Sequence, residues 1–392
     1  MYRSGRHFLQ IPGPTNVPDR VLRAMDAPVI DHRGPDFASL GHEVLEGMRA
    51  IFQTSAHVII YPSSGTGACE AALSNALSPG DRIVIMETGW FSHVAWRQVA
   101  ERLGLQVDYV PGTWRRGASP DDLEARLASD RQHEIKAVVI VHNETSTGVT
   151  SRLPALRAVM NRLQHPALLM VDTVSSLGSI DFRHDEWEID VAVCGSQKGL
   201  MVPPGLGFNA VSEKALAASR QKTVRSSSAY WDWHEQIRIN ASGYFPYTPA
   251  TNLLYGLREA LRMMQEEGLK NIFCRHARYG EATRAAVRAW ALEMVCEEPS
   301  EYSNVTTAIF VPEGHDADAL RKLILEKFDM SLGTGLGKLA GRAFRIGHLG
   351  SLNDLTLAGT LSGVEMGLSL GGIPHQPGGV NAALASLAAT LR

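Results

Sequence analysis

The sequence predicts an α/β protein: a mostly parallel sheet sandwiched by helices, followed by a smaller C-terminal α+β domain. Short β-branched runs without polar alternation recur between longer helical patterns, which is how strands buried on both faces read. The 392 residues are 44% hydrophobic and 20% charged, an ordinary globular composition with enough chain for a full-sized core. After about residue 270 the order changes to strand, helix, strand, helix.

Taken in order, the segment 1–20 is expected to run along the surface before joining a large domain, 21–265. There "HVIIY" (57–61) precedes "SSGTGACEAALSNAL", and "RIVIM" (82–86) precedes a helical stretch, 91–103. "QVDYV" (106–110) leads to 120–129, and "KAVVIVH" (136–142) leads to 153–163. "ALLMV" (167–171) and "DVAVC" (190–194) continue the series. Near 240 the composition shifts to "GYFPYTPATN", and "LLYGLREALRMMQEEGL" reads as a long helix. The small domain, 266–392, holds strands at 305–311 and 342–350 and helices at 316–327 and 353–369. No internal repeat is visible.

Several classes drop out on composition. The formal net charge is −3 and the pI about 6.5, with no Lys/Arg-rich block, so nothing draws the chain to nucleic acid or an anionic membrane. Apolar runs such as "AVVIV" (137–141) are too short to span a bilayer. Cys69, Cys194, Cys274 and Cys296 form no CxxC, which argues against a disulfide framework or metal site and for a reducing cytoplasm. The basic start lacks an apolar stretch, so no secretory leader is expected, and "AATLR" carries no peroxisomal tripeptide.

Three stretches carry chemistry. "SSGTGACEAAL" (63–73) follows a strand and opens a helix, so its free N–H groups and the hydroxyls of Ser64 and Thr66 suit an anion. It is not a Walker loop, and a plain turn capped by serine fits it equally. In "LLMVDTVSS" (168–176), Asp172 ends a buried strand at the edge where open α/β sheets bind ligands. Such a carboxylate needs an Arg, a helix start or a protonated ring nitrogen. In "CGSQKGLMVPPGLGF" (194–208), Lys198 follows another strand end. A lone lysine there reads as a surface residue, but one desolvated at the sheet edge has a lowered pKa and a free amine. Together, a phosphate cradle, a carboxylate and a lysine at one edge are the three groups pyridoxal phosphate requires.

At these residues the sequence resembles a known family. "IPGPTNVP" (11–18), "DHR" (31–33), "VHNETSTGV" (141–149), "VDTVSSLGS" (171–179), "GSQKGLMVPPGLG" (195–207), "GYFPYTPATNLLYGLREAL" (243–261) and "FRIGHLGSLND" (344–354) are similar to the class V, fold-type I aminotransferases. The branch is that of the serine–, alanine– and aspartate–glyoxylate enzymes, and the likeness spans nearly the whole chain. It implies pyridoxal 5′-phosphate as cofactor, no metal, and transfer of an amino group from a small amino acid, L-serine foremost, to glyoxylate. It implies that Lys198 holds the aldehyde and shuttles the proton, and that Asp172 pairs with the ring nitrogen. Ser64, Gly65 and Thr66 take the phosphate, with Gln197 near it. Phe91 stacks on the ring, where alanine–glyoxylate relatives carry Trp, and Thr145 contacts the phenolic oxygen.

The resemblance also implies a homodimer with shared active sites, in which Thr248 and a tyrosine reach the neighbouring phosphate. The expected tyrosine position holds Phe245, so Tyr247 is assigned, with Tyr244 the alternative. Arg345 holds the substrate carboxylate, a role its bidentate fork suits, although a structural ion pair fits the residues too. His32 and Arg33 read the substrate side chain from the partner subunit, or else form an exposed loop pair. "GTGLGKLAG" (333–341) resembles a dinucleotide fingerprint but starts no βαβ unit, so it reads as a loop leading to Arg345. A nicotinamide-dependent dehydrogenase lacks its glycine spacing after the first strand. A cysteine desulfurase lacks a cysteine in 331–341, and the intact set of Ser64, Asp172, Lys198 and Arg345 argues against a non-catalytic scaffold.

Overall fold

The computed structural model describes residues 5–222 and 228–390. The first four residues and the last two, where the leader and terminal-tripeptide readings partly fall, lie outside them.

A seven-stranded sheet is ordered His57–Pro62, Leu206–Val211, Val191–Gly195, Leu168–Asp172, Ile135–Val141, Arg82–Met86, Gln106–Val110. Only Leu206–Val211 runs antiparallel to its neighbours. Successive side chains of residues 137–141 enter opposite cores. Val138 and Ile140 join the cluster under the helices Pro35–Phe52 and Thr251–Glu267, while Ala137, Val139 and Val141 join the one under Gly65–Ala76. Burial on both faces is why no polar alternation appears in these strands. In Pro35–Phe52 the buried positions Phe37, Leu40, Gly41, Val44, Leu45, Met48, Ile51 and Phe52 form one helical stripe.

The parallel strands send their carboxyl ends to one edge. Asp172 sits there, paired in register with Val141 and Val193. The next loops from that edge carry Ser64, Phe91, Thr145 and Lys198.

The C-terminal part builds a four-stranded sheet in the order Phe8–Gln10, Met330–Thr334, Ala343–Gly347, Thr306–Phe310. The helices Ala317–Phe328, Asp354–Leu370 and Gly379–Ala389 share its core, which includes Trp290, Phe344, Ile346 and Leu361.

Two sequence expectations need correction. The N-terminal segment does not simply skirt the surface: Phe8–Gln10 pairs in parallel with Met330–Thr334 as an edge strand of the small sheet. Its partner lies more than three hundred residues away, so no local pattern announces it. The stretch 91–103 is not one regular helix, because Ser92–Arg97 forms a π-helical turn before the α-helix Gln98–Arg102.

Candidate active site

A cavity of about 260 Å³ opens at the carboxyl edge of the large sheet. Ser64, Gly65, Thr66, Phe91, Thr145, Asp172, Gln197 and Lys198 all line it. So do Gly13, Asn143, Val174 and Ser175, which the sequence reading did not single out for the site.

One wall is the start of the helix Gly65–Ala76. Ser64 caps it, its Oγ accepting from the Gly67 N–H at 3.4 Å. The helix start packs tightly on its neighbours: a Cβ on Gly65 would lie 2.7 Å from Val174, and one on Gly207 would lie 2.6 Å from the Ser64 carbonyl. Unpaired N–H groups and the helix dipole therefore face the cavity beside two hydroxyls.

Asp172 is only 5% exposed. Its Oδ2 accepts from Trp96 Nε1 at 2.9 Å, and its Oδ1 accepts from the Val174 N–H at 2.9 Å. Burial raises its pKa above the usual carboxylate range, against the pull of those two donors and the charge of Lys198.

Lys198 is 8% exposed, and its Nζ donates to the Pro12 carbonyl. Burial and then the charge of Arg345 lower its pKa to about 8, while Asp172 and Glu144 pull the other way. The N-terminal segment fixes this loop. Thr15 Oγ1 donates to the Lys198 carbonyl at 3.0 Å, and the Thr15 N–H donates to the Gln197 carbonyl at 3.0 Å. Gly13, at φ +107°, lies so close that a Cβ there would overlap the Lys198 side chain.

Glu144 went unassigned in the sequence, although it lies inside a quoted motif. It is fully buried, and Oε2 accepts from the N–H groups of Phe91 (3.0 Å) and Ser92 (3.3 Å). Oε1 accepts from the Ser146 N–H and hydroxyl at 3.1 and 2.7 Å. It ties the Phe91 loop to the Thr145 loop.

Arg345 lies behind Thr145 and does not itself line the cavity. Its Nη1 donates to the Thr145 carbonyl at 2.9 Å and its Nε to Thr334 at 2.8 Å. Burial lowers it to about 10, opposed by the charge of Glu144. It makes no ion pair among the described residues, so its charge stays uncommitted. The glycine-rich loop packs on the segment before Phe91: Lys338 donates to Glu87 at 3.0 Å, and a Cβ on Gly337 would lie 2.6 Å from Trp90.

Besides Arg345, four further expected site residues do not line the cavity of their own chain. His32 and Arg33 lie on the turn before Pro35–Phe52, and the His32 Nε2 is buried without a hydrogen-bond partner among the described residues. Tyr247 is exposed, donates to the Ala229 carbonyl at 3.1 Å and stacks on Tyr230; Thr248 beside it is exposed. Close packing of Gly243 on Ala38 and Gly41 brings these two stretches to one side of the molecule.

The cavity residues suit pyridoxal phosphate. The Gln197 Oε1 is buried at this cavity without a hydrogen-bond partner among the described residues. A buried carboxylate faces one part of the space and a largely desolvated amine another, which matches a phosphate, a ring nitrogen and an aldehyde. Among the described residues no three His, Cys, Asp or Glu side chains are grouped to hold a metal, and no helix is long and apolar enough to cross a membrane.

Comparison with known proteins points the same way. The family model for class-V aminotransferases matches residues 7–339. A serine–glyoxylate aminotransferase of Methylorubrum extorquens is 48% identical over 98% of this chain and 96% of its own. An L-aspartate–glyoxylate aminotransferase of Paracoccus denitrificans is 46% identical over 95% and 94%. The crystal structure of pyridoxamine–pyruvate aminotransferase from Mesorhizobium loti superposes with a TM-score of 0.91 at 27% identity, covering 99% of this chain and 98% of that one.

Proposed function

The chain belongs to the class-V aminotransferases, whose cofactor is pyridoxal 5′-phosphate, and from that premise we propose that it transfers the amino group of L-serine to glyoxylate. The products are hydroxypyruvate and glycine. The observation that carries this reading is likeness to serine–glyoxylate aminotransferases along almost the whole chain, joined to a small cavity holding Lys198, Asp172 and the Ser64–Thr66 turn.

Ser64, Gly65, Thr66 and Gln197 would hold the phosphate, Asp172 the ring nitrogen, Lys198 the aldehyde and Thr145 the phenolic oxygen. Phe91 would lie against the ring. Bound there, the cofactor supplies an aldehyde that carries the amino group and a ring that accepts electrons from the carbon losing its proton. The Lys198 Nζ takes the α-proton of the amino donor and returns it. Arg345 receives the substrate carboxylate, for which its uncommitted guanidinium is a natural partner.

A second reading has direct support, since an aspartate–glyoxylate enzyme is almost as similar. Steady-state rates with glyoxylate and a panel of serine, alanine and aspartate decide between them. Serine is expected to give the highest kcat/KM, and a clear preference for aspartate would reverse the assignment.

The working unit is a homodimer in which Tyr247, Thr248, His32 and Arg33 of one copy complete the cavity of the other. Support comes from their shared side of the molecule and their absence from their own cavity. We place the enzyme in the cytoplasm, in keeping with four free cysteines.

A further inference from the structure

We propose that Trp96 is a positioning residue for the reaction, its indole N–H holding the Asp172 carboxylate ionised and aimed into the cavity. This rests on the reading of Asp172 as partner of the ring nitrogen. Trp96 is fully buried and directs Nε1 at Asp172 Oδ2, 2.9 Å away, while the Val174 N–H serves Oδ1. Each carboxylate oxygen thus has one donor fixed by the fold. Hydrogen bonds to a charged group in a dry site are among the strongest a fold makes.

The π-helical turn explains how a bulky apolar residue reaches this point. In an α-helix, residues five apart point to different faces, at 3.6 residues per turn. The i→i+5 bonding of a π-turn brings them to nearly the same face. Phe91 begins the turn Ser92–Arg97 and Trp96 lies five residues on, so both meet the cavity side, Phe91 as lining and Trp96 through Asp172. Glu144 anchors the start of the turn through the N–H groups of Phe91 and Ser92.

The other titratable groups around Asp172 leave the task to such donors. Lys198 favours the carboxylate and Glu144 disfavours it, while Cys69 and Cys194 are thiols pushed up by burial. Removing the indole donor therefore raises the pKa of Asp172.

Trp96→Phe keeps most of the ring and deletes the N–H. Its kcat should fall about ten- to a hundredfold with KM changed less than about threefold. Apoprotein affinity for pyridoxal phosphate, read by fluorescence quenching, should weaken about tenfold. The acid limb of the kcat/KM profile should move to higher pH. Trp233→Phe is the control: Trp233 is equally buried in the same core but donates to Asn209, 3.2 Å away. It should leave all three readouts in place. If Trp96→Phe loses only as much stability as the control, with wild-type kcat, affinity and pH profile, the proposal fails.

Asp172→Asn separates this proposal from the one beneath it. Full turnover in Asp172→Asn removes the role of Asp172 and, with it, that of Trp96. A crippled Asp172→Asn beside a normal Trp96→Phe removes Trp96 alone. Should Trp96→Phe not fold, ¹⁵N-tryptophan labelling of the wild-type holoenzyme answers the question. One of the seven indole signals should shift in Asp172→Asn, and seven unmoved signals would overturn the assignment.

Discussion

Lys198 is an amine kept where water cannot solvate an ammonium. With its pKa lowered to about 8, the neutral nucleophile appears above that pH and the inert ammonium dominates below it. In the apoprotein, reductive labelling of Lys198 by a small aldehyde should therefore rise through pH 8, more than two units below an ordinary lysine. A midpoint near 10 would show the amine to be solvated. Lys198→Ala should abolish turnover while retaining some cofactor binding through the Ser64–Thr66 turn and Asp172; normal turnover would remove Lys198 from the chemistry. Asp172→Ala should also cripple the rate, because without that carboxylate the ring nitrogen is not kept protonated and a neutral ring is a poor electron sink.

Among the elements, the central strands were legible because burial on both faces writes itself as unbroken β-branched runs. The order Ser64, Asp172, Lys198 along one sheet edge was legible for the same reason, since each follows such a run. Trp96 was not, because a tryptophan inside a helical pattern reads as core, and only the π-turn turns its N–H to Asp172. Glu144 was hidden by its own motif: four hydrogen bonds from its surroundings identify it, and none is visible in one dimension. Leu206–Val211 is a strand whose "LGFNAV" begins too near the Pro-Pro-Gly turn to stand out. The strap Ile11–Thr15 was seen only as a motif. Its tightness is testable with Gly13→Ala, which meets both the left-handed backbone and the Lys198 side chain. It should cost about 1–3 kcal/mol in urea unfolding and at least about tenfold in kcat. An unaltered enzyme would mean the strap yields freely.

For the whole molecule, the decisive question is whether one cavity needs two chains. Lys198→Ala breaks a cavity from within, and Thr248→Glu should break the neighbouring one by repelling its phosphate. Each homodimer should be inactive. After unfolding and refolding together, mixed dimers carry one intact site, so roughly a quarter of wild-type activity should return. No recovery would mean that each chain completes its own site.

The joining of Phe8–Gln10 to Met330–Thr334 carries a consequence for biosynthesis. Phe8–Gln10 leaves the ribosome more than three hundred residues before its partner strand Met330–Thr334. Until then the Pro12 carbonyl and Thr15 have no fixed seat from which to hold the lysine loop. A nascent large domain can assemble its sheet early, yet the lysine stays unclamped until the small domain emerges. The clamp on Lys198 thus leans on a strand pairing that closes late in synthesis.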